Sequence, residues 1–145
     1  MKVTQVSVFM ENTPGRLAEV TKVLGNAKIN ILALTIAETG EFGILRMIVD
    51  NWKKAMDVLR KNDLTTTTTE VLAVEIPNEP GSLARIVEMF QKESINIEYV
   101  YAFVSHSRDG ALIVMRFEDP DQALKILTKN NITVLTNEEV VKMES

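Results

Sequence analysis

With 145 residues, 46% hydrophobic and 25% charged, the chain has the make-up of a globular protein, large enough for one domain or two small ones. It has no cysteine and a single histidine, His106, which excludes disulfides and thiolate chemistry and makes a transition-metal site a poor expectation. No apolar run approaches the roughly 20 residues that span a bilayer, no basic start leads into a secretory apolar stretch, and the net charge of −4 disfavours nucleic acid; a cytoplasmic protein with neither membrane nor nucleic-acid partner is expected.

Val6, Val8 and Met10 alternate as a half-buried strand does. Thr13-Pro14-Gly15 then signals a helix start, and Leu17, Val20, Thr21 and Leu24 trace one helical face. Ile29 to Ala37 is rich in β-formers, and Thr39-Gly40-Glu41 turns the chain back into a third strand, Phe42 to Val49, giving an antiparallel hairpin. Residues 52–61 form a second helix with Ala55, Val58 and Leu59 inward. The five threonines Thr65 to Thr69 are β-branched and are read as a fourth strand leading into Val71.

The whole order then repeats. Leu72, Val74 and Ile76 alternate; Glu79-Pro80-Gly81 precedes Leu83, Ile86, Val87 and Phe90; Ile95 to Val104 and Gly110 to Phe117 are strands. Residues 120–130 form a helix opened by Pro120, with Glu118, Asp119 and Asp121 at its start, and Ile132 to Leu135 is the last strand. Thr136 to Ser145 reads as a turn with a short helix or strand. The repeat is explicit in residues. Asn12-Thr13-Pro14-Gly15-Arg16-Leu17-Ala18 matches Asn78-Glu79-Pro80-Gly81-Ser82-Leu83-Ala84, and Ile29-Asn30-Ile31 matches Ile95-Asn96-Ile97, both at an offset of 66. The later helices match at 68, which places two extra residues in the loop around Ser105 to Asp109.

Two units are therefore expected, residues 1–69 and 70–145, each β-α-β-β-α-β. That order gives an α+β, ferredoxin-like sandwich, an antiparallel four-stranded sheet with both helices on one face. Units this small are marginal alone. The first half carries nine basic and seven acidic residues, the second seven and thirteen.

Candidate binding residues lie in the repeated loops. A helix N-terminus exposes unpaired N–H groups and a partial positive charge, which suits a carboxylate. Gly15 and Gly81 permit close backbone approach, and Asn12 and Asn78 offer a donor and an acceptor each. Arg16 suits a ligand carboxylate and Glu79 an ammonium, so the copies are expected to differ. A tight turn with no ligand is the alternative. Asn30 and Asn96, each between isoleucines, either face a ligand across the sheet or close the preceding helix. Tyr99 and Tyr101 share a sheet face and serve packing or a pocket wall. Met10, Met47, Met56, Met89 and Met115 are core filler, and His106 is read as solvated.

These motifs, in two copies and in this element order, resemble the ACT domain, a small regulatory module of amino-acid metabolism. The resemblance covers nearly the whole chain, as a stand-alone tandem pair. It implies an effector site between ACT units, formed by Asn12, Thr13, Pro14, Gly15, Arg16 and Leu17 with Asn30 and Ile31, and by Asn78, Glu79, Pro80, Gly81, Ser82 and Leu83 with Asn96 and Ile97. Many ACT domains carry Asp where Asn12 and Asn78 stand, and a neutral amide grips an ammonium less strongly. No nucleophile–base pair, metal set or phosphate loop is visible, so the expectation is a non-enzyme without cofactor. It would bind a free amino acid, form a homodimer and modulate a partner enzyme of amino-acid metabolism. A structural adapter acting through protein contacts is the alternative; an enzyme on this scaffold lacks a visible catalytic set.

Overall fold

The computed structural model describes residues 1–104 and 110–143. The expected insertion at Ser105 to Asp109, with His106, and the last two residues of the tail lie outside the described residues. Twelve elements follow in chain order: β1 (Val3–Glu11), α1 (Arg16–Asn26), β2 (Ile31–Thr39), β3 (Phe42–Val49), α2 (Trp52–Lys61), β4 (Thr65–Ile76), α3 (Ser82–Lys92), β5 (Tyr99–Ala102), β6 (Ala111–Arg116), α4 (Pro120–Lys129), β7 (Thr133–Leu135) and α5 (Asn137–Lys142). The chain divides into two compact units, Thr4–Thr69 and Glu70–Ser145 with Met1–Val3. The division falls inside β4, so the threonine tract and the strand after it are one twelve-residue strand without a linker.

The N-terminal unit has the strand order β2-β3-β1-β4. β3 runs antiparallel to both neighbours, with Val8 opposite Leu45 and Ile36 opposite Leu45 on the other side. β2 and β3 are joined by a two-residue turn in which Gly40 takes φ 77, the first position of a type II′ hairpin. The C-terminal unit repeats this arrangement as β5-β6-β4-β7, all pairs antiparallel. Its second strand is shorter than the sequence pattern suggests: the ladder of β5 holds only from Tyr99 to Ala102, not over Ile95 to Val104.

Each unit has its own core between helices and sheet. In the first, Val6, Val8, Leu45 and Met47 meet Val20, Leu24, Ala55 and Leu59. In the second, Leu72, Val74 and Met115 meet Ile86, Phe90, Ala123 and Leu127, and Phe90 and Phe117 rings lie 4.7 Å apart at a tilt. The expected helical face is only half right. Val20, Leu24, Ile86 and Phe90 are buried, but Leu17, Leu83 and Val87 are 39–41% exposed. The buried stripe of α1 runs instead through Val20, Val23, Leu24 and Ala27.

The four long helices end alike. Lys28, Asp63, Ser94 and Asn131 take positive φ of 56–63°. The N–H of the next residue returns to the carbonyl five back, as in Ile29 to Leu24 and Ile95 to Phe90, while the left-handed residue itself bonds three back. This is the Schellman closure, completed by an apolar contact across the turn. α5 begins instead with a full capping box between Thr136 and Glu139.

Candidate functional site

In both repeated loops the helix begins at a left-handed glycine, Gly15 at φ 90 and Gly81 at φ 87, and no side chain caps either helix. Residues 11–15 and 77–81 are exposed. The prolines Pro14 and Pro80 lead the chain into this turn, and the Glu19 and Arg85 N–H groups close it on the Gly15 and Gly81 carbonyls at 3.0 Å.

The polar side chains of the two loops are differently employed. The Asn12 amide donates to the Gly40 carbonyl at 3.0 Å and to Glu38 at 3.4 Å, and its backbone N–H donates to Glu41 at 2.7 Å. Asn12 therefore pins the β2–β3 hairpin and keeps only its oxygen for another partner. The matching turn of the second copy lies outside the described residues. Thr13 accepts from the Arg16 N–H at 3.4 Å through its carbonyl. The Arg16 guanidinium pairs with Glu19 at 2.9 Å and Glu11 at 3.3 Å, and the Glu19 hydrogen bond, then the Glu11 charge, raise its pKa further. In the second loop Glu79 pairs with Arg85 at 3.1 Å, and Arg85 also donates to the buried Ser82 hydroxyl at 3.3 Å. Each loop thus holds one arginine, at the first helical position in one copy and the fourth in the other.

Asn30 and Asn96 are exposed, while Ile29, Ile31, Ile95 and Ile97 pack toward the cores. Helix closure belongs to Lys28 and Ser94, not to these asparagines. Asn30 is nevertheless engaged: its N–H donates to the Asp50 carboxylate at 3.0 Å, and its carbonyl accepts from the Asp50 N–H at 3.1 Å. Asn96 and Ile97 line a cavity of about 460 Å3 with Val87, Gln91, Ser94 and Ile95. A neighbouring cavity of about 360 Å3 shares Ser94, Ile95 and Asn96 and adds Glu98, Glu118, Asp119 and Gln122.

The structure does not bring each loop to the asparagine of its own unit. α3 is eleven residues long, about 16 Å at 1.5 Å per residue. Asn78 to Leu83 sit at its start and Asn96 beyond its end. Val87 and Gln91 escaped the sequence reading because Val87 falls in a core-like helical spacing; only the outward tilt of that face reveals it. Among the described residues no group of His, Cys, Asp and Glu is arranged to hold a metal, and no helix is long and apolar enough to cross a membrane.

The family model for the ACT domain pair matches residues 1–144. The chain belongs to that family. Protein BT0572 from Bacteroides thetaiotaomicron is 37% identical, with a TM-score of 0.91 over 98% of this chain and 97% of that one. The ACT pair also superposes on the regulatory subunits of aspartate kinase from Thermus thermophilus, in its ligand-free form, and Thermus flavus. They share 15% and 14% identity, each with a TM-score of 0.60 over 87% of this chain and 90% of the other; at that identity the likeness concerns the fold. No curated protein matches the chain.

Proposed function

We propose that this ACT pair is a non-catalytic regulatory protein that binds a free amino acid and, by doing so, modulates a partner enzyme or assembly of amino-acid metabolism. The observation that carries the reading is the twofold occurrence of an exposed, uncapped helix start at a left-handed glycine. Such a turn offers backbone N–H groups and a partial positive charge to a carboxylate. Asn30 with Ile31, and Asn96 with Ile97, supply the second half. Because loop and asparagine lie at opposite ends of a helix, a small ligand touching both is held where one ACT unit meets another, and a homodimer is the simplest assembly that provides this. The regulatory neighbours among aspartate kinase subunits support the class of function. Binding shifts an equilibrium only if the ligand prefers one arrangement.

The test is thermal melting against the twenty amino acids. A ligand at 100 times its Kd stabilises by about 2.7 kcal/mol, several degrees in a protein of this size. The shift should vanish in Asn30→Ala/Asn96→Ala. A melting curve unmoved by any amino acid would favour a second reading, an adapter working through protein contacts. That reading draws on Asn12, whose amide is spent on holding the Gly40 turn.

A further inference from the structure

The duplication provides an internal control, since each position of one copy has a counterpart that folds the same way. Lys28 and Ser94 both close a helix in the left-handed region, and Asn51 and Asp119 both cap the next one. Around these landmarks the two units carry opposite charge. Lys22, Lys28, Lys53 and Lys54 stand in the N-terminal unit where Glu88, Ser94, Asp121 and Gln122 stand in the C-terminal one. In the other direction, Ala27, Leu32 and Asn51 correspond to Glu93, Glu98 and Asp119, and Asp50 to Glu118. Within residues 22–32 and 50–54, only Asn26, whose counterpart is Lys92, runs against the trend.

Each set shares one end of its helix layer. In the N-terminal unit the Asn30 N–H donates to the Asp50 carboxylate at 3.0 Å, and the Asp50 N–H returns to the Asn30 carbonyl at 3.1 Å. This ties the end of α1 to the start of α2. In the C-terminal unit Ser94, Glu98, Glu118 and Asp119 line one cavity, so the end of α3 and the start of α4 meet in the same way. Lys22 lies two residues from buried Val20 and Leu24, and Glu88 two from buried Ile86 and Phe90, so each faces away from its core. The charged side chains of both corners are exposed, Asp50 alone being half-buried. Among the described residues none of the four lysines enters an ion pair, although Lys53 lies 5.6 Å from the centre of the Trp52 ring. Of the acids, Asp121 pairs with Lys2 at 3.1 Å, and Asp119 accepts from the Gln122 N–H. The two corners therefore stand exposed and largely unneutralised.

We infer that the lysine corner of the N-terminal unit is a docking surface for the acidic corner of a second copy of this chain. The chain supplies its own complement: the same scaffold and spacing with the opposite charge. Copies with a net charge of −4 repel one another at long range. Opposed corners orient them so that unlike charges meet, whereas two lysine corners or two acidic corners face to face are disfavoured. Single exposed ion pairs contribute little, but several of one sign against several of the other set the register and speed encounter. Asn30 and Asn96 lie beside these corners without carrying their charge, and the turns at Gly15 and Gly81 lie at the other ends of α1 and α3. The docking thus does not rest on a bound amino acid.

The experiment follows self-association of the full chain by sedimentation velocity, without amino acid, between about 0.01 and about 1 M salt, where the Debye length falls from roughly 30 Å to roughly 3 Å. Association is expected to weaken at least about tenfold across that range. Lys22→Glu/Lys53→Asp puts residues of the acidic corner into the lysine corner. Glu88→Lys/Glu93→Lys puts cations into the acidic corner toward a helix C-terminus, where they are favoured. Each variant alone should associate at least about tenfold more weakly than wild type at low salt. An equimolar mixture should regain the association, because the second variant keeps an intact lysine corner and the first an intact acidic one; this recovery also shows both variants to be folded. A wild-type chain whose mass is the same at both salts, a variant that associates like wild type, or a mixture no heavier than its components overturns the inference. With no amino acid present, such a failure leaves the proposed effector site untouched.

Discussion

Lys28, Asp63 and Ser94 hold left-handed backbone that suits glycine better than a residue with a Cβ. The conformation costs roughly 1–2 kcal/mol in such residues, offset in glycine by a larger entropy loss of about 0.5–1 kcal/mol. Lys28→Gly should therefore stabilise the chain by about 0.5–1 kcal/mol in urea unfolding, whereas Asn131→Gly should change little, because asparagine tolerates this region. A second residue-scale flaw is Thr66, 7% exposed, whose hydroxyl is the one buried side-chain polar atom without a partner among the described residues. Its counterpart is Val134, buried in the second core. Thr66→Val should raise stability by roughly 1–2 kcal/mol, since an unsatisfied buried hydroxyl costs about that much; a loss would mean that the hydroxyl is bonded through water. The threonine tract itself reads as strand from its β-branching. That one of its members occupies a valine's place emerges only when the two copies are laid together. Asn12 illustrates the opposite difficulty: its type and position are legible as polar loop chemistry, but its commitment to Gly40 depends on a hairpin 28 residues away.

At the scale of elements, the sequence resolves what local physics decides. The second helix, residues 52–61, and the proline-opened start of α4 coincide with the structure because their caps are local: Asn51 and Asp119 side chains accept from Lys54 and Gln122 N–H groups. The helix face of α1 is misjudged because a spacing of 0, 3, 4 and 7 defines a stripe but not which flank of it the sheet covers, and Leu17 and Leu83 fall on the uncovered flank. β5 is overestimated because β-propensity in Ile95 to Val104 does not reveal where the ladder with β6 stops. Opposite it, Gly110 is required by contact: a Cβ there would strike the Ile76 carbonyl. Gly110→Ala should accordingly destabilise the chain by about 1–3 kcal/mol through strain at the β4–β6 end, read as faster hydrogen exchange in β6. The α5 capping box adds a pH-dependent element. Hydrogen bonds from the Thr136 backbone and hydroxyl hold the Glu139 carboxyl below its usual pKa. A depressed folded pKa contributes stability above the unfolded value, near 4.3, and loses it as pH falls through the folded one. The melting temperatures of wild type and Glu139→Gln should thus differ at neutral pH and converge below about pH 4; a constant gap would count against the capping role.

For the whole molecule, tandem organisation is visible in the repeated Asn-x-Pro-Gly and Ile-Asn-Ile because both copies need the same turn and the same strand start. A repeat of sequence does not reveal how its ends are distributed. The first three residues belong by contact with the C-terminal unit, although they open the N-terminal repeat. Lys2 reaches Asp121 at 3.1 Å and Glu70 at 3.4 Å, joining a basic end to the acidic half. The hydrogen bond and charge of Asp121 raise the lysine pKa, so this contribution is present below the unfolded value near 10.4 and fades as pH climbs through the folded one. The pair is exposed and therefore weak and salt-sensitive. Val3 carries more, because it is fully buried. Truncating such a side chain costs roughly 1–3 kcal/mol from lost burial and the cavity left behind. Where that cost falls distinguishes contact from sequence order. If the first three residues fold with the C-terminal unit, Val3→Ala should speed hydrogen exchange in the Leu72–Ile76 stretch of β4 and in β6, while α1 and α2 keep their protection. If exchange rises first in α1 and α2, Val3 is tied to the N-terminal repeat, and the division of the molecule follows the duplication rather than the packing.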